Sequence, residues 1–515
     1  METETTRHPS VISLSLVPLI QPVGRAPLLA ILTVVLNLHM GNFMANVFTV
    51  TTIGKLKSTT GAASGDVCEV LGYYAAGDGG GGTYYYDAAD TSSNDNGGSI
   101  IIANDSKRWK LRATGGFTVK QFGARGDDAA DDTASIKNAI DATGAGTLHW
   151  QAGIYRVSAG LVQRDYQSWQ GAGGQRATTI KKVANCDLVS MGDQGSIQDM
   201  NLECQGVGVP GVPGKTGRGI CVERGFSQVI RRVRIAEATG PALDFTIPGG
   251  GSAGGGAMVS DLEATTASAT VPAVRAAISL PSPQFFNNIW LSGGLFDFSG
   301  SRAVNLSNFY VRNVLTSSAT SLVNIANGRF ASVTDTTILS GSDISLTGVT
   351  LSGPLALESA MAVKISGCTL GSGFTEGANC AYNSIFEQRK PYAPIWSQFG
   401  GSPAIGNGTL TGSQQRNGVC CNVAVRIVMG STTAYGSTTG AYKFGLPFRA
   451  HQAMEQHGLP AVVTINGVTY PCWATIMANE DFLTLTYNGQ AVRNGFPATW
   501  SADSTIDFEF SYLVR

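Results

Sequence analysis

Residues 117–160, FTVKQFGARGDDAADDTASIKNAIDATGAGTLHWQAGIYRVSAG, decide the fold. Residues 119–122 read as a short strand and 123–126 as a turn. Asp131 and Asp132 precede residues 134–141, whose apolar positions recur at helical spacing. Carboxylates at a helix N-terminus complement its dipole and can cap its free N–H groups. Residues 147–150 and 154–157 read as two further strands, split by Gly153.

The run 119–140 (VKQFGARGDDAADDTASIKNAI), followed by 146–161 (GTLHWQAGIYRVSAGL) and 168–174 (SWQGAGG), resembles the opening of the pectate-lyase-superfamily parallel β-helix. That opening occurs in pectin-degrading enzymes and in bacteriophage tailspikes. The resemblance implies an all-β chain built on a right-handed parallel β-helix. Its short N-terminal α-helix would cap a solenoid end that otherwise exposes strand edges and core. Fold follows from such a likeness more firmly than reaction does.

Outward from this stretch, composition agrees. Only 14% of the 515 residues are charged and 65 are glycine, which suits β structure with many turns. A formal net charge of −1 gives no sign of a nucleic-acid partner or a polybasic membrane contact. The nine cysteines show neither metal-type nor disulfide-framework spacing. Cys204 and Cys368 fall at apolar positions of β patterns, as buried thiols do, whereas the adjacent Cys420 and Cys421 fit no assignment.

Residues 1–43 do not fit the rest. Residues 27–38 (PLLAILTVVLNL) are too few for a membrane span of ~20 residues and lack a following cleavage site. The expected start of translation is Met44, with a genuine export signal as the alternative. Residues 44–114 form a small β-rich module around 72–87 (GYYAAGDGGGGTYYYD). No Gly-Lys-Ser/Thr follows the glycines, which argues against a phosphate loop. With DNGG (95–98) and RWKL (108–111), the module resembles the N-terminal part of tailspike-like proteins, which implies attachment to a phage tail or baseplate.

Residues 117–385 read as the solenoid. An apolar–any–apolar triplet recurs with Met200, Val233, Leu262, Ile289, Phe309, Val349 and Cys368 as first residues. The step of 40 between Phe309 and Val349 fits two rungs, one degenerate. A second series runs through residues 220–222, 243–245 and 304–306, and Gly/Pro-rich insertions at 206–217 and 248–256 would protrude beside the rungs. From about 391 to 515 the pattern changes to strands at 423–429, 442–448, 461–465, 483–487 and 506–512. The turns Asn466-Gly467 and Asn488-Gly489 mark hairpins of an antiparallel β-sandwich. Residues 396–412 resemble C-terminal domains of phage tail proteins, which implies trimerisation or receptor contact.

Alternate residues of a β-helix strand face outward, and rungs stack ~4.8 Å apart. The triplet centres then form one outward column: Asn201, Arg234, Glu263, Trp290, Tyr310, Thr350 and Thr369. A carboxylate beside an arginine, followed by two aromatic rungs, suits a chain of sugars. Aromatic faces take sugar rings, a carboxylate moves protons, and arginine holds a hydroxyl or an anionic group.

Two carboxylate pairs are candidates. Asp261 and Glu263 face one way, ~6.6–7 Å apart along an extended strand, close to the ~6.5–9.5 Å of an inverting glycosidase. Glu223 and Asp244 project from neighbouring rungs of the second series. Arg234, Trp290, Tyr310, Glu203 and Arg312 are the expected sugar contacts. The structural alternatives are a ladder ion pair worth ~0–1 kcal/mol for Arg234 and Glu263, and rings packed under an insertion or in a trimer interface. A one-residue slip would turn Glu263 inward.

Of five histidines only His149 lies in the solenoid, which disfavours histidine chemistry. No aspartate-rich motif demands calcium, so neither cofactor nor metal is expected. Taken together, the expectation is a homotrimeric tailspike-like protein that binds a bacterial capsular or O-antigen polysaccharide and hydrolyses it. It would sit at a virion tail or the cell exterior, made in the cytoplasm if prophage-encoded. A lyase acting by β-elimination on uronates and a non-catalytic adhesin or structural spike are the rivals.

Overall fold

The computed structural model describes residues 45–204, 217–222, 225–245, 256–267, 271–276, 283–312, 314–315, 320–371, 373–377, 384–386, 389–452 and 455–514. Residues 1–43, Met44 and most of both Gly/Pro-rich insertions lie outside these ranges. The chain divides into two compact units, residues 1–273 and 274–515.

The first unit opens with a five-stranded sheet. Its order is Val47–Val50, Val67–Val70, Gly82–Tyr86, Arg108–Leu111 and Ile100–Ile102, the first pair parallel and the rest antiparallel. Alternation sends Cys68, Val70, Tyr84, Trp109 and Leu111 into one core with Ile53 and Leu56 of the helix Ile53–Ser58. The glycine run serves close approach. A Cβ on Gly81 would stand 2.2 Å from the Val70 carbonyl oxygen, and one on Gly80 2.5 Å from that of Lys120. Asp78 supplies the anion of this loop: its carboxylate accepts from the backbone N–H groups of Tyr73 (2.9 Å), Tyr74 (2.8 Å), Ala75 (3.0 Å) and Gly80 (2.8 Å). A loop filled by its own carboxylate has no use for a phosphate.

Residues Val119–Phe122 form a 3₁₀ turn rather than the expected strand. Thr118 and Gln121 cap each other, with the Gln121 N–H donating to Thr118 Oγ1 (3.3 Å) and the Thr118 N–H to Gln121 Oε1 (2.9 Å). The capping α-helix runs Thr133–Thr143 and buries Ile136, Ala139 and Ile140. Asp132 does not cap it; its carboxylate takes the N–H groups of Arg125 (2.7 Å) and Gly126 (3.0 Å) and so fixes the preceding turn. Gln167 Nε2 donates to the carbonyls of Ile140 (2.8 Å) and Gly144 (2.9 Å), tying the helix to the first rungs.

The rungs of this unit stack in parallel. Thr147–His149, Ser168–Gln170, Ser196–Glu203, Val229–Ala238 and Met258–Thr266 follow one another, and Leu148, Trp169, Ile197, Ile230 and Val259 form a buried stack. Each of the last three strands bends at a left-handed residue: Asp199 (φ 59°), Arg232 (φ 49°) and Asp261 (φ 55°). Past the bend, Met200, Val233 and Leu262 point inward, as do Leu202, Ile235 and Ala264.

In the second unit Gln284–Leu291, Arg302–Val311, Ser321–Phe330 and Thr337–Leu351 repeat the arrangement in parallel register. The bends before the triplets fall at Asn288, Asn308, Asn327, Gly348 and Gly367, residue types that tolerate a left-handed backbone, while Ala303, Leu322 and Asp343 make a second left-handed bend earlier in their strands. Gly328, Arg329 and Phe330 are the degenerate rung inside the 40-residue step. Residues 304–306 belong to the strand Arg302–Val311, whose partners are Gln284–Leu291 and Ser321–Phe330; they are not in the same series as 220–222 and 243–245, which pair through Ile220–Cys221 and Leu243–Asp244.

The chain ends in a curved antiparallel sheet ordered Thr409–Gly418, Cys420–Val428, Thr505–Leu513, Gln456–Ile465, Val468–Ile476, Phe482–Tyr487, Tyr442–Gly445 and Trp396–Gln398. It encloses Val423, Val425, Ile427, Val463, Leu485 and Phe508. Asn466 (φ 50°) and Gly467 (φ 76°) are both left-handed, as a two-residue hairpin requires.

Candidate functional site

The register column expected from the triplets is present within each unit, but in the first unit Thr179 and Asn201 are buried, so that only Arg234 and Glu263 reach solvent there. In the first, Thr179, Asn201, Arg234 and Glu263 are successive register partners. They are also linked through side chains. Arg234 Nε donates to Glu263 Oε1 (3.0 Å), Arg234 Nη1 to Asn201 Oδ1 (3.1 Å), and Asn201 Nδ2 to Thr179 Oγ1 (3.1 Å) and Glu203 Oε1 (3.3 Å). Arg176 approaches the same Glu263 oxygen at 3.7 Å. The Glu263 side chain is 31% exposed, and among the described residues Oε2 has no hydrogen-bond partner. Sequence periodicity could not find Arg176, because it sits in the loop after Ser168–Gln170 rather than on a rung.

Asp261 is placed differently from expectation. The left-handed bend at Asp261 breaks period-two alternation, so the extended-strand separation from Glu263 does not apply. Asp261 occupies the bend position shared with Asp199 and Arg232, and its carbonyl accepts from Gln175 Nε2 (2.7 Å). Arg232 grips Asp199 through both of its oxygens, with Nη2 to Oδ2 at 2.7 Å. This guanidinium holds the Asp199 carboxyl below the usual carboxylate range. Two ladders therefore run side by side: a bend ladder of Asp199, Arg232 and Asp261, and a strand ladder of Asn201, Arg234 and Glu263.

The second carboxylate pair does not stand as expected. Asp244 does not project outward; its side chain is 0% exposed and accepts from Arg218 Nη1 (3.2 Å), while Arg218 also grips Asp187 (2.7 Å). A buried, ion-paired carboxylate serves structure better than solvent-side proton transfer. Glu223 lies outside the described residues. Arg312 is also occupied, holding Asp335 and pulling that carboxyl below its ordinary range.

In the second unit, Trp290 and Tyr310 are register partners with stacked rings, 4.6 Å between centroids and 20° between planes. Trp290 is 54% exposed and Tyr310 36%. Neither ring is buried by the unit's own chain, and together they form a flat aromatic surface. A groove of about 510 Å³ also crosses the C-terminal sheet, lined in part by Asp507 and Glu509. Both carboxylates are paired there, with Arg426 (3.6 Å) and Arg389 (2.6 Å), and the groove resembles a sheet concavity more than a reaction site.

Residues 49–114 match the family described as phage tail protein small four-stranded beta-sheet domain. Residues 116–346 match the family described as rhamnogalacturonase A/epimerase, pectate lyase-like. Over 47 residues the chain is 60% identical to mannuronan C5-epimerase AlgE3 of Azotobacter vinelandii, a match covering 8% of this chain and 3% of that protein. Alginate lyase 7 of the same organism is 30% identical over 159 residues, 25% of this chain and 18% of that one. The chain thus spans less than a fifth of either curated relative. Among solved structures, full-length tailspike protein 2 from Escherichia coli O157:H7 bacteriophage CAB120 superposes with a TM-score of 0.50 at 14% identity, covering 93% of this chain and 82% of that one. One chain thus carries a segment similar to a phage-tail sheet module and a segment similar to pectate-lyase-like proteins, and its fold is a parallel β-helix like that of the phage tailspike.

Proposed function

We propose that this protein binds a bacterial surface polysaccharide at the outward faces of its β-helix and cleaves it, with Glu263 as the acid or base at the reacting bond. The observation that carries the reading is the state of Glu263: one oxygen anchored by Arg234, the other without a partner among the described residues, on a solvent-facing rung. An oriented carboxylate with a free oxygen is placed to act as a base, taking a proton from an attacking water or from the sugar. Within the second unit, and independently of Glu263, Trp290 and Tyr310 offer a sugar-stacking surface. The module at 44–114 docks the protein to a phage tail, and the chain acts as a homotrimer, as its tailspike likeness implies; light scattering on the full chain tests that mass.

Hydrolysis needs a second carboxylate, and Asp261 is the nearest in sequence. A second reading, β-elimination on an acidic sugar, is favoured by the two guanidinium groups of Arg234 and Arg176 at Glu263 Oε1. They offer charge to stabilise a carboxylate-derived enolate. The names of the curated relatives, an epimerase of mannuronan and an alginate lyase, lean the same way.

Both chemistries share one test. Fragment release from capsular and O-antigen polysaccharides is followed by reducing ends and ultraviolet absorbance together. Reducing ends alone mean hydrolysis, and both signals mean elimination. Glu263→Gln is expected to lower the rate roughly 100-fold or more, in line with loss of a general acid–base group. Unchanged depolymerisation by Glu263→Gln would remove Glu263 from the chemistry.

A further inference from the structure

The column that begins with Trp290 and Tyr310 continues one rung further to a residue that the triplet pattern hides. Tyr310 is in register with Arg329, Arg329 with Thr350, and Thr350 with Thr369, and all of them are exposed. Arg329 is hidden because its rung opens with Gly328, not an apolar residue. A Cβ on Gly328 would stand 2.3 Å from the Phe309 ring, so the glycine makes room for that ring and removes the sequence signal.

Arg329 differs from the arginines around it. Arg218, Arg232, Arg234 and Arg312 each hold an aspartate or glutamate. Arg329 donates from Nε to Ser352 Oγ (3.2 Å), and among the described residues it has no carboxylate partner. The bond to Ser352 orients the guanidinium while its terminal nitrogens stay open. Such a group, beside a flat aromatic pair, is built to meet an anion on something stacked against the rings.

We infer that Arg329 is a specificity-determining residue that selects an acidic glycan, one carrying a carboxylate or comparable anionic substituent. A sugar ring lies on Trp290 and Tyr310. The neighbouring sugar along the column places its anionic group in the Arg329 fork, because rungs repeat every ~4.8 Å, about the length of one pyranose unit. Thr350 and Thr369 then offer hydroxyls to the following units. This inference rests on the carbohydrate-binding reading above and adds the charge class of the polymer.

The test uses the full chain with alginate oligosaccharides, polygalacturonate oligosaccharides and acidic capsular polysaccharide fragments, each beside its carboxyl-reduced counterpart. Affinities are measured by calorimetry for wild type, Arg329→Gln, Arg329→Lys and Trp290→Ala, with thermal melts confirming that each variant folds. The expected result is roughly tenfold weaker binding of an acidic polymer by Arg329→Gln, the size of one charge-assisted contact. Arg329→Lys should fall between, since lysine keeps the charge but loses the fork, and binding of the carboxyl-reduced polymer should not change. Trp290→Ala should weaken both forms.

If Trp290→Ala weakens binding while Arg329→Gln does not, the Arg329 assignment is overturned and the aromatic platform stands. If neither variant changes binding, the platform reading falls with it. Failure of the wild type to bind any acidic polymer, or equal binding of acidic and reduced forms, likewise overturns the inference.

Discussion

Asp78 shows how a single side chain can settle a whole loop. Burial pushes its carboxyl upward, yet four backbone N–H donors outweigh that and hold it below the ordinary carboxylate range. Unfolded, it returns to about 3.9. A depressed folded value means that Asp78 stabilises the fold fully above that pH, and that this stability is lost as pH falls through the folded value. Asp78→Asn should therefore cost about 1–2 kcal/mol at neutral pH, by loss of charge-assisted bonds. The melting-temperature gap between wild type and variant should stay constant down to about pH 4 and shrink below it. A gap that stays constant there as well would mean that the loop does not depend on the charge. Asp244 and Glu263 make the contrast at the same scale. Both are carboxylates on rungs facing an arginine, but Asp244 is closed off and Glu263 keeps an open oxygen.

At the scale of the rung, the recurring device is a left-handed bend followed by an inward–outward–inward triplet. The residue before each triplet is Asp199, Arg232, Asp261, Asn288, Asn308, Asn327, Gly348 or Gly367, all left-handed. The triplets, the cap helix and the Asn-Gly hairpins were legible because apolar periodicity and turn chemistry are local. The bends do not show in period-two alternation, although Asn and Gly before the triplet signal them, and the bend at Asp261 is what separates it from the Glu263 column. At Val119–Phe122 the β-branched and aromatic residues suggest a strand, but the local Thr118–Gln121 capping box, itself a T-x-x-Q signal in the sequence, overrides them. Gly328 is the sharpest test of rung packing. Gly328→Ala sets a methyl 2.3 Å from the Phe309 ring, and Phe309 also packs on Phe330 at 5.1 Å between centroids. The ring must shift, and a cost of about 1–3 kcal/mol is expected. Chemical denaturation measures it, and an unchanged midpoint would show that this stack has slack.

At the largest scale, stacked rungs within the second unit turn a short sequence period into an ordered display of side chains. Trp290, Tyr310, Arg329, Thr350 and Thr369 are successive partners. Four steps of ~4.8 Å make a track of ~19 Å, roughly four pyranose units. A track of discrete, evenly spaced contacts should be read by ligand length. A two-sugar fragment covers only the aromatic pair, and each added unit gains a further rung until the column ends. Affinity for a size-graded series of one polymer should therefore rise steeply up to roughly four units and then level off. A binding pocket limited to the rings would saturate at one or two units instead. An end-blocking ligand would show no length dependence at all. Calorimetry on the size-graded series separates these outcomes, and saturation at a disaccharide would confine recognition to Trp290 and Tyr310.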